Sequence, residues 1–582
     1  MKHTVLGAAA LFASAFFICS CASNQSSKST VSAANAITAA YSYGFVDLEG
    51  AKLSAVIVEY AEPVLQSAIS TDTYEIENYT LDAVAQSGAE AIEIDYDGIA
   101  GNEGAITRVY VNDKPATVEK PSAKSGNYVI IEVNTAYMLS TANLVYTNSM
   151  IAGAKQVKDI AGKNNVITAS DTLFTNYTVS EKDTPRGKRT EKKADKNMII
   201  LPEFGEGSGW TLNYIGDGAF KATHCYSEYT GEYYDFELPY SIYVPDQKTL
   251  DKNKGKVALT IHMEHAGSND TDPMAAITSS RAAVIHASPL VQEKNPAIIV
   301  VPQIEETRRS TNDLVASSEA NTAIWELIDS LLETYADYID TNRIYGTGQS
   351  MGGMTILNMA SQRDNFFAGI AVVGAQWSNS YDKPFQNNGS PARTPENDPV
   401  SFNGFGLDSE NFQNWYYMIS DDNITVHTCA GDPMASGEWS DTAAYFAMAG
   451  AAIPYAEIDP YLSVEEQLAI DEKLLAHDTT AAGSGITWGA FTKGSHMSTW
   501  KYGYRLISPI LWLYEQNRQT EMARPKLEQL KNAWLGRNAD GTIKAGSGTA
   551  GLNSAQYTPG GASTVFTEGW TRENVEKAAS AN

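Results

Sequence analysis

Apolar and polar positions alternate along the first part of the chain, as they do in half-buried β-strands. In Ala91–Asp97, Ile92, Ile94 and Tyr96 share one face, and acidic residues occupy the other. Further strands are predicted at Leu53–Tyr60, Ile106–Val111 and Val129–Val133, with turns at Asn112-Asp113 and Ser125-Gly126-Asn127. Short strands with regular turn signals and no helical pattern predict an all-β immunoglobulin-like sandwich over residues 37–180.

The pattern changes after about residue 198, where β-type runs alternate with helical stretches. Val257–Met263 and Ala297–Val301 are unbroken apolar runs, as expected of buried parallel strands. Thr322–Tyr335 repeats apolar residues every three or four positions, which predicts a helix. Later elements are predicted at Ala368–Val373 and Ile424–Ala430, which are strands, and at Leu506–Gln516, a closing helix. Residues 198–519 are therefore predicted to form a mostly parallel sheet flanked by helices, and the G-x-S-x-G motif at Gly348–Gly352 within them indicates an α/β hydrolase fold.

One pentapeptide in this second part contains a candidate catalytic residue. Gly348-Gln349-Ser350-Met351-Gly352 fits G-x-S-x-G, between a β-type run at Arg343–Thr347 and a helix predicted to begin near Gly353. A nucleophilic serine at a tight strand-to-helix turn needs small neighbours, and the first helical N–H groups can stabilise an oxyanion. Ser350 is the candidate nucleophile.

The partners of a nucleophilic serine in this fold follow it in the order acid, then histidine. Asp432 follows the strand Ile424–Ala430 in a glycine turn and is the candidate acid. Its rivals on the same loop are Glu438 and Asp441. His496 lies in a loop before the closing helix and is the candidate base, whereas His477 lies in a charged helical stretch typical of the surface.

The oxyanion hole needs two backbone donors. Met351 supplies one, and Ala266 or Gly267, in a turn after an early strand, supplies the other. His262 and His265 could be read as metal ligands, but no third ligand lies nearby, so no metal is expected. No organic cofactor is required either.

Three more residues follow strand ends, where α/β sheets place their ligands. They are the candidate substrate-binding residues Gln303, Gln376 and Trp377. Trp377 could pack against an aryl or sugar group, or it could be a core tryptophan.

Composition indicates the general class of protein and which partners it can bind. The chain has 582 residues, 43% hydrophobic and 19% charged, which is typical of a folded protein with more than one domain. Its formal net charge of −27 argues against a nucleic-acid partner, because phosphate binding needs a basic surface.

The first residues form a targeting segment. Lys2 precedes a short apolar run, Val5–Ile18, which ends in Ile18-Cys19-Ser20-Cys21 and resembles a bacterial lipobox. Residues 1–20 are therefore predicted to be a lipoprotein signal peptide, Cys21 the lipidated residue and 21–36 a flexible tether. An ordinary cleaved secretion signal is the alternative, and either one predicts an exported protein, lipid-anchored on the cell envelope or secreted.

Two further segments and two cysteines complete the chain. Residues 181–197 are charged and lack large apolar runs, which predicts a linker, and 520–582 form a C-terminal extension. Cys225 and Cys429 remain after the signal and anchor are removed, either as a disulfide or as buried thiols.

These motifs together resemble a known family. Val301-Pro302-Gln303, Asp340–Thr355, Asn365–Trp377 and Gly494–Tyr504 are similar to segments of bacterial extracellular esterases with an N-terminal immunoglobulin-like domain, relatives of polyhydroxybutyrate depolymerases and feruloyl esterases. The resemblance implies that Ser350, Asp432 and His496 form the catalytic triad. Two departures are the His265-Ala266-Gly267 turn, where HG-x-G is commoner, and the unusual acid loop after Asp432.

The resemblance implies a surface-anchored serine esterase that acts through an acyl-enzyme. Its expected substrates are small acyl or aryl esters, including acetyl or feruloyl esters of plant polysaccharides, and its only membrane contact is the lipid anchor. A serine peptidase of the prolyl oligopeptidase type shares the fold and the triad. A catalytically silent surface binding protein is the alternative from another class.

Overall fold

The structure is a computed structural model that describes part of the chain. The described ranges are 37–77, 106–133, 156–159, 166–168, 175–184, 187–304, 318–375, 423–432 and 452–518, less 49, 198, 228–229, 269–270, 361, 364 and 480–483, plus residues 435, 436, 439 and 443. The predicted signal peptide, tether, C-terminal extension and strand at 91–97 lie outside them. The predicted domain boundaries stay predictions.

The described residues of the N-terminal part form β-strands, as predicted, with two short 3₁₀ helices at Gln66–Ala68 and Thr71–Thr73. Its strands are β1 (Ile37–Asp47), β2 (Gly50–Leu65), β3 (Tyr74–Glu77), β4 (Ile106–Asn112), β5 (Ser125–Val133), β6 (Gln156–Asp159), β7 (Val166–Thr168), β8 (Thr175–Thr184), β9 (Gly187–Asn197) and β10 (Ile199–Ile200). One sheet has the order β10-β1-β2-β5-β4, a second has β3-β6-β7, and β8 and β9 form a separate hairpin.

The alternating pattern of β5 sets its two faces. Val129, Ile131 and Val133 join one hydrophobic cluster, whereas Tyr128 and Ile130 join another on the opposite side of the sheet. This split is the one the sequence predicts, because successive side chains of a strand point to opposite faces.

The predicted turn at Ser125-Gly126-Asn127 is wrong, since these residues begin β5. A Cβ atom on Gly126 would lie 2.2 Å from the carbonyl oxygen of Asn112 in the neighbouring strand. The glycine therefore permits a close approach between two strands and does not mark a chain reversal.

The predicted linker at 181–197 is also corrected. Residues 181–184 lie in β8 and residues 187–197 form β9, and the two strands pair antiparallel from Thr175↔Asn197 to Thr184↔Gly187. A charged composition indicates solvated side chains, but it does not prevent the backbone from forming a β-ladder, because ladder hydrogen bonds join main-chain groups only.

The second part is built on a nine-stranded, mostly parallel sheet. Its order is β11-β14-β16-β15-β17-β18-β19-β21-β20, and only β11 and β14 run antiparallel to their neighbours among these nine described strands. The strands of this part are β11 (Trp210–Asn213), β12 (Phe220–Ser227), β13 (Glu232–Leu238), β14 (Tyr240–Tyr243), β15 (Val257–Met263), β16 (Ala297–Pro302), β17 (Ile339–Gln349), β18 (Gly369–Val373), β19 (Ile424–Gly431), β20 (Tyr455–Ile458) and β21 (Ile486–Ser495). The α/β hydrolase fold is confirmed.

Helices flank this sheet. They are α1 (Gln247–Lys252), α2 (Met274–Thr278), α3 (Pro289–Gln292), α4 (Ser318–Thr334), α5 (Met351–Ala360), α6 (Val464–Leu475), α7 (Ser498–Arg505) and α8 (Ser508–Glu515). The predicted closing helix Leu506–Gln516 corresponds to α8, and α7 precedes it. Leu506, with an extended backbone, and Ile507 separate the two helices. Pro509 is the second residue of α8, in the first turn, where its missing N–H costs no hydrogen bond.

The two parts of the chain are in contact. The main-chain N–H of Val46, in β1, donates to the carboxylate of Glu203, before β11, at 3.0 Å. At the tip of the β1–β2 hairpin, Leu48 packs against a cluster that includes Trp500. The N-terminal part therefore touches the helix that follows the candidate base His496.

Candidate active site

The nucleophile elbow has the geometry that its sequence predicts. Ser350 lies between β17 and α5 with φ of +51°, a left-handed conformation that is strained for a residue with a side chain. A Cβ atom on Gly348 would lie 2.7 Å from the carbonyl oxygen of Met263, and one on Gly352 only 2.0 Å from it. Both glycines are therefore required because the end of β15 passes directly against the elbow. The helix begins at Met351, two residues earlier than predicted.

The predicted nucleophile, base and acid are brought together. The distance from Ser350 Oγ to His496 Nε2 is 2.8 Å, and the distance from His496 Nδ1 to Asp432 Oδ2 is 2.5 Å. Because Asp432 accepts the Nδ1 proton, Nε2 is left to accept the serine proton. The arrangement is that of a base poised to activate a nucleophile.

The acid is buried and the base is partly exposed. Asp432 is 4% exposed and its Oδ1 accepts the N–H of Ala435 at 3.3 Å, so both carboxylate oxygens are engaged. The side chain of His496 is 34% exposed. A buried, held carboxylate orients the imidazole, while the exposed ring can exchange protons with substrate and water.

The oxyanion loop follows β15 and runs from His265 to Ser268. The N–H of His265 donates to Glu264 Oε2 at 3.3 Å, that of Gly267 to His265 Nδ1 at 2.9 Å, and that of Ser268 to the carbonyl of His265 at 3.1 Å. Within this loop, only the N–H of Ala266 has no partner among the described residues.

This hydrogen-bonding pattern separates the two predicted donors. The N–H of Gly267 binds the imidazole of His265, so of the two predicted donors only Ala266 has an available N–H in the described structure. Ala266 stays the candidate, together with Met351 at the start of α5.

His265 and Trp500 form a stacked pair that sequence reasoning missed. Their ring centroids are 4.2 Å apart with an interplanar angle of 14°, and Trp500 also contacts the ring of His496 edge-on at 5.9 Å. Burial lowers the pKa of His265 to about 4, against the opposing charge of Glu264, so the ring is neutral and its Nδ1 can accept from Gly267. Trp500 thus joins the oxyanion loop to the catalytic base.

The predicted substrate-binding residues have different outcomes. Gln303 is 2% exposed; its Oε1 accepts the N–H of Ala276 and its Nε2 donates to the carbonyl of Ser268 at 2.7 Å. Its side chain therefore supports the oxyanion loop, a role different from the predicted substrate contact. Gln376 and Trp377 lie outside the described residues, as do the rival acids Glu438 and Asp441.

Other sequence candidates are resolved by their contacts. His262 and His265 both adjoin Glu264, but in the described part of the chain no three His, Cys, Asp or Glu side chains are arranged so that they could hold a metal ion. Cys225 and Cys429 are separate buried thiols. His477 is exposed, as predicted. Among the described helices, none is both long and apolar enough to cross a membrane.

Two family models match the chain, one in each of its two parts. A family model described as the esterase Ig-like N-terminal domain matches residues 45–193, and one for the prolyl oligopeptidase family matches residues 323–405. The second match contains α4 from residue 323 onward, β17, the elbow and β18. No curated protein matches the chain.

Similar solved structures include hydrolases of several activities. A thermostable esterase is 18% identical with a TM-score of 0.46, covering 83% of this chain and 100% of its own. A ferulic acid esterase is 14% identical with a TM-score of 0.29, covering 52% and 98%. The acylaminoacyl peptidase of Pyrococcus horikoshii is 11% identical with a TM-score of 0.29, covering 64% and 54%. Such distant likenesses carry no inference about substrates.

The class of the protein follows from the triad and the two family matches. The elbow serine, the buried acid and the partly exposed histidine lie on one hydrogen-bonded path. The chain is therefore a serine hydrolase, with an esterase-type immunoglobulin-like domain in front of an α/β-hydrolase domain.

Proposed function

We propose that this serine hydrolase cleaves carboxylic esters. The observation that carries the proposal is the continuous path Ser350–His496–Asp432, with an available N–H at Ala266 on the facing loop. The N-terminal match to an esterase domain supports ester over amide substrates.

The reaction follows from the positions of these groups. Ser350 Oγ attacks the ester carbonyl carbon while its proton passes to His496 Nε2, and the negative charge of Asp432 stabilises the imidazolium. The N–H groups of Met351 and Ala266 stabilise the oxyanion. The imidazolium then protonates the departing alcohol, which leaves an acyl-enzyme on Ser350.

Water completes the cycle. His496, neutral again, removes a proton from a water molecule that attacks the acyl carbon, and it returns that proton to Ser350 Oγ as the acid leaves. The partial exposure of His496 is consistent with access for this water. No redox step or external co-reactant is needed.

The proposed substrates are small acyl or aryl esters, including acetyl or feruloyl groups on plant polysaccharides. Close to the base, Met497 and Trp500 belong to an apolar cluster with Leu48 and Val373. Val373 and Trp500 are buried, whereas Met497, the residue after the base, is only partly buried. Apolar packing around the base suits an acyl or aryl group better than a charged one.

The test is hydrolysis of p-nitrophenyl acyl esters and methyl ferulate by wild type and by Ser350→Ala. Turnover that requires Ser350 supports the esterase, and the preferred ester reports the size of the pocket. No ester turnover by a folded protein that still reacts with a serine-directed phosphonate would point to the peptidase, for which the prolyl oligopeptidase match is the supporting observation. Absence of phosphonate labelling as well would favour a binding protein.

We also propose that Cys21 anchors the protein to the bacterial envelope through lipid, which would be its only membrane contact. The support is the apolar run that ends at Ile18-Cys19-Ser20-Cys21 and the polar stretch after it. Metabolic labelling with a radioactive fatty acid should mark the wild type and not Cys21→Ala. Equal labelling of both proteins, or of neither, would contradict the anchor.

A further inference from the structure

A buried carboxylate lies directly behind the candidate active site. Glu264 follows the last residue of β15 and is 4% exposed. It is not part of the triad. An ionised side chain removed from water is costly unless several donors surround it, so its contacts require an explanation.

One side of Glu264 holds the nucleophile elbow. Gln349, the residue before Ser350, is fully buried, and its Nε2 donates to Glu264 Oε2 at 2.7 Å. The backbone of the elbow also packs against the backbone of Glu264, because a Cβ atom on Gly352 would lie 2.6 Å from the carbonyl oxygen of Glu264. The carboxylate therefore fixes the residue that precedes the nucleophile.

Glu264 also holds the oxyanion loop and its supports. The N–H of His265 donates to Oε2 at 3.3 Å, and Ser280 Oγ donates to Oε1 at 3.0 Å. His262 Nε2 also lies 3.0 Å from Oε1. The peptide that enters Ala266 is thus held by the same carboxylate as the elbow.

The charge of Glu264 suits this set of neighbours. An ionised carboxylate is acceptor-only, so it can serve several donors at once, whereas an amide would direct its own NH₂ group at some of them. Burial by itself would raise the pKa of Glu264, but the hydrogen bond and charge of His262, together with His265 and Ser280, hold it below its usual value.

We propose that Glu264 is a positioning residue whose carboxylate ties the oxyanion loop to the nucleophile elbow. Through this link the Ala266 N–H and the Ser350 hydroxyl face the same carbonyl group. Glu264 does not touch substrate and acts through Gln349 and His265. The inference concerns the transition state of the proposed ester hydrolysis, and to that extent it rests on the proposed function.

The experiment compares Glu264→Gln with Asp471→Asn. Both change a buried carboxylate that contacts a histidine into an amide, but Asp471 lies on α6, outside the active site. For Glu264→Gln, kcat per titrated active site on a p-nitrophenyl ester should fall about ten- to a hundredfold, with KM changed less than about threefold, because misplaced groups lose transition-state binding. Asp471→Asn should keep the wild-type kcat per titrated site even where its melting temperature falls.

Two more variants keep the test decisive. Gln349→Met leaves the carboxylate with its other donors but disconnects the elbow, and it should reproduce the kcat loss if Glu264→Gln does not fold. The double variant Glu264→Gln, Gln349→Glu restores an amide–carboxylate pair across the same gap and should recover part of kcat. Wild-type kcat in a folded Glu264→Gln or Gln349→Met protein would overturn the proposal.

A second readout separates this inference from the proposed function. The rate at which a fluorophosphonate labels Ser350 needs the elbow and the oxyanion loop but no ester activity. If the wild type hydrolyses no ester, slower labelling of Glu264→Gln beside unchanged labelling of Asp471→Asn still supports the positioning role. Equal labelling rates for wild type and Glu264→Gln would overturn it.

Discussion

The described residues of the hydrolase domain include two groups of serine, aspartate and histidine, and of these two only one can catalyse. In the active site, His496 lies between Ser350 and Asp432. In the second group, Asp471 lies in the middle: its Oδ1 is 2.7 Å from His427 Nε2, and its Oδ2 accepts from Ser508 Oγ at 2.5 Å. The residue types are the same and the order of contacts differs.

The order of contacts decides the chemistry. A central histidine can take a proton from serine on one side while the aspartate on the other side stabilises the resulting charge. A central aspartate only accepts hydrogen bonds, so Ser508 has no base to remove its proton. The second group therefore has no means of making a nucleophile.

Burial separates the two groups as well. His427 and Asp471 are 1% and 0% exposed, whereas the side chain of His496 is 34% exposed. The buried group joins β19, α6 and α8 in the interior, and the exposed one lies where substrate can arrive. The same functional groups thus stabilise the fold in one place and carry out chemistry in the other.

The largest expected effect comes from Ser350→Ala or His496→Ala. Each should reduce kcat by about a millionfold, because neither residue can act without the other. The free energy of unfolding should change little, since both side chains lie at a partly exposed edge. Ester turnover and denaturant melts would measure the two quantities. Unchanged activity in His496→Ala would remove the basis for the triad.

Asp432→Asn should have a smaller effect on activity. The amide would present its NH₂ or oxygen to His496 Nδ1 without a negative charge, so the useful tautomer is no longer enforced. We expect kcat to fall about ten-thousandfold, with little change in KM. If the loss were no greater than a few fold, one of the acids outside the described residues, Glu438 or Asp441, would be the better candidate.

Much of this site could be predicted from the sequence because its signals are local. The G-x-S-x-G turn locates Ser350. Chain order, together with the place of Asp432 after a strand and of His496 in a loop, selects the other two residues. The fold follows in the same way, since Val257–Met263 has the unbroken apolar run of a parallel strand and occupies the centre of the sheet.

The remaining features depend on contacts between distant segments. The stack of His265 on Trp500 joins residues 235 positions apart in the sequence, and Glu264 meets Gln349 across 85 positions. The engagement of Gly267 and the support given by Gln303 likewise appear only when the loops are folded. The hairpin at 181–197 was missed for another reason, since composition describes side chains and not backbone pairing.

The buried group around Asp471 should contribute to the free energy of unfolding and not to catalysis. Asp471→Ala leaves His427 and Ser508 without their common partner inside the protein, and such a loss typically costs about 3–5 kcal/mol of unfolding free energy. Urea unfolding would measure the cost, and kcat per titrated active site should stay at the wild-type level. Asp337→Ala, which removes an exposed partner of Lys254, is the matched control and should leave the unfolding curve unchanged. A loss of kcat per site in Asp471→Ala would break the division between the two groups.

The smallest effect concerns a third kind of histidine, one that is buried without a carboxylate. His286 is fully buried, its Nδ1 lies 3.0 Å from the hydroxyl of Tyr514, and its ring is 6.3 Å from that of His262. Burial, with the nearby charge of His262, lowers the pKa of His286 to about 3, compared with 6.5 for an ordinary histidine. Above pH 6.5 the ring is neutral in both the folded and unfolded states, so it imposes no penalty.

Below pH 6.5 the imidazole of His286 is protonated in the unfolded chain but stays neutral in the folded protein. The unfolding free energy therefore falls as the pH falls, until the pH approaches 3. The contribution is about 1.4 kcal/mol per pH unit. Between pH 6.5 and pH 4.5 the unfolding free energy of His286→Leu should therefore fall less steeply than that of the wild type, by about 1.4 kcal/mol per pH unit. Urea unfolding at each pH measures this slope. Above pH 7 the unfolding free energies of the two proteins should change with pH in parallel. An equally steep fall in His286→Leu would show that other groups set the acid sensitivity. Burial would then separate the aspartate-centred group from the histidine-centred group, but it would not explain the behaviour of a buried histidine that has no carboxylate partner.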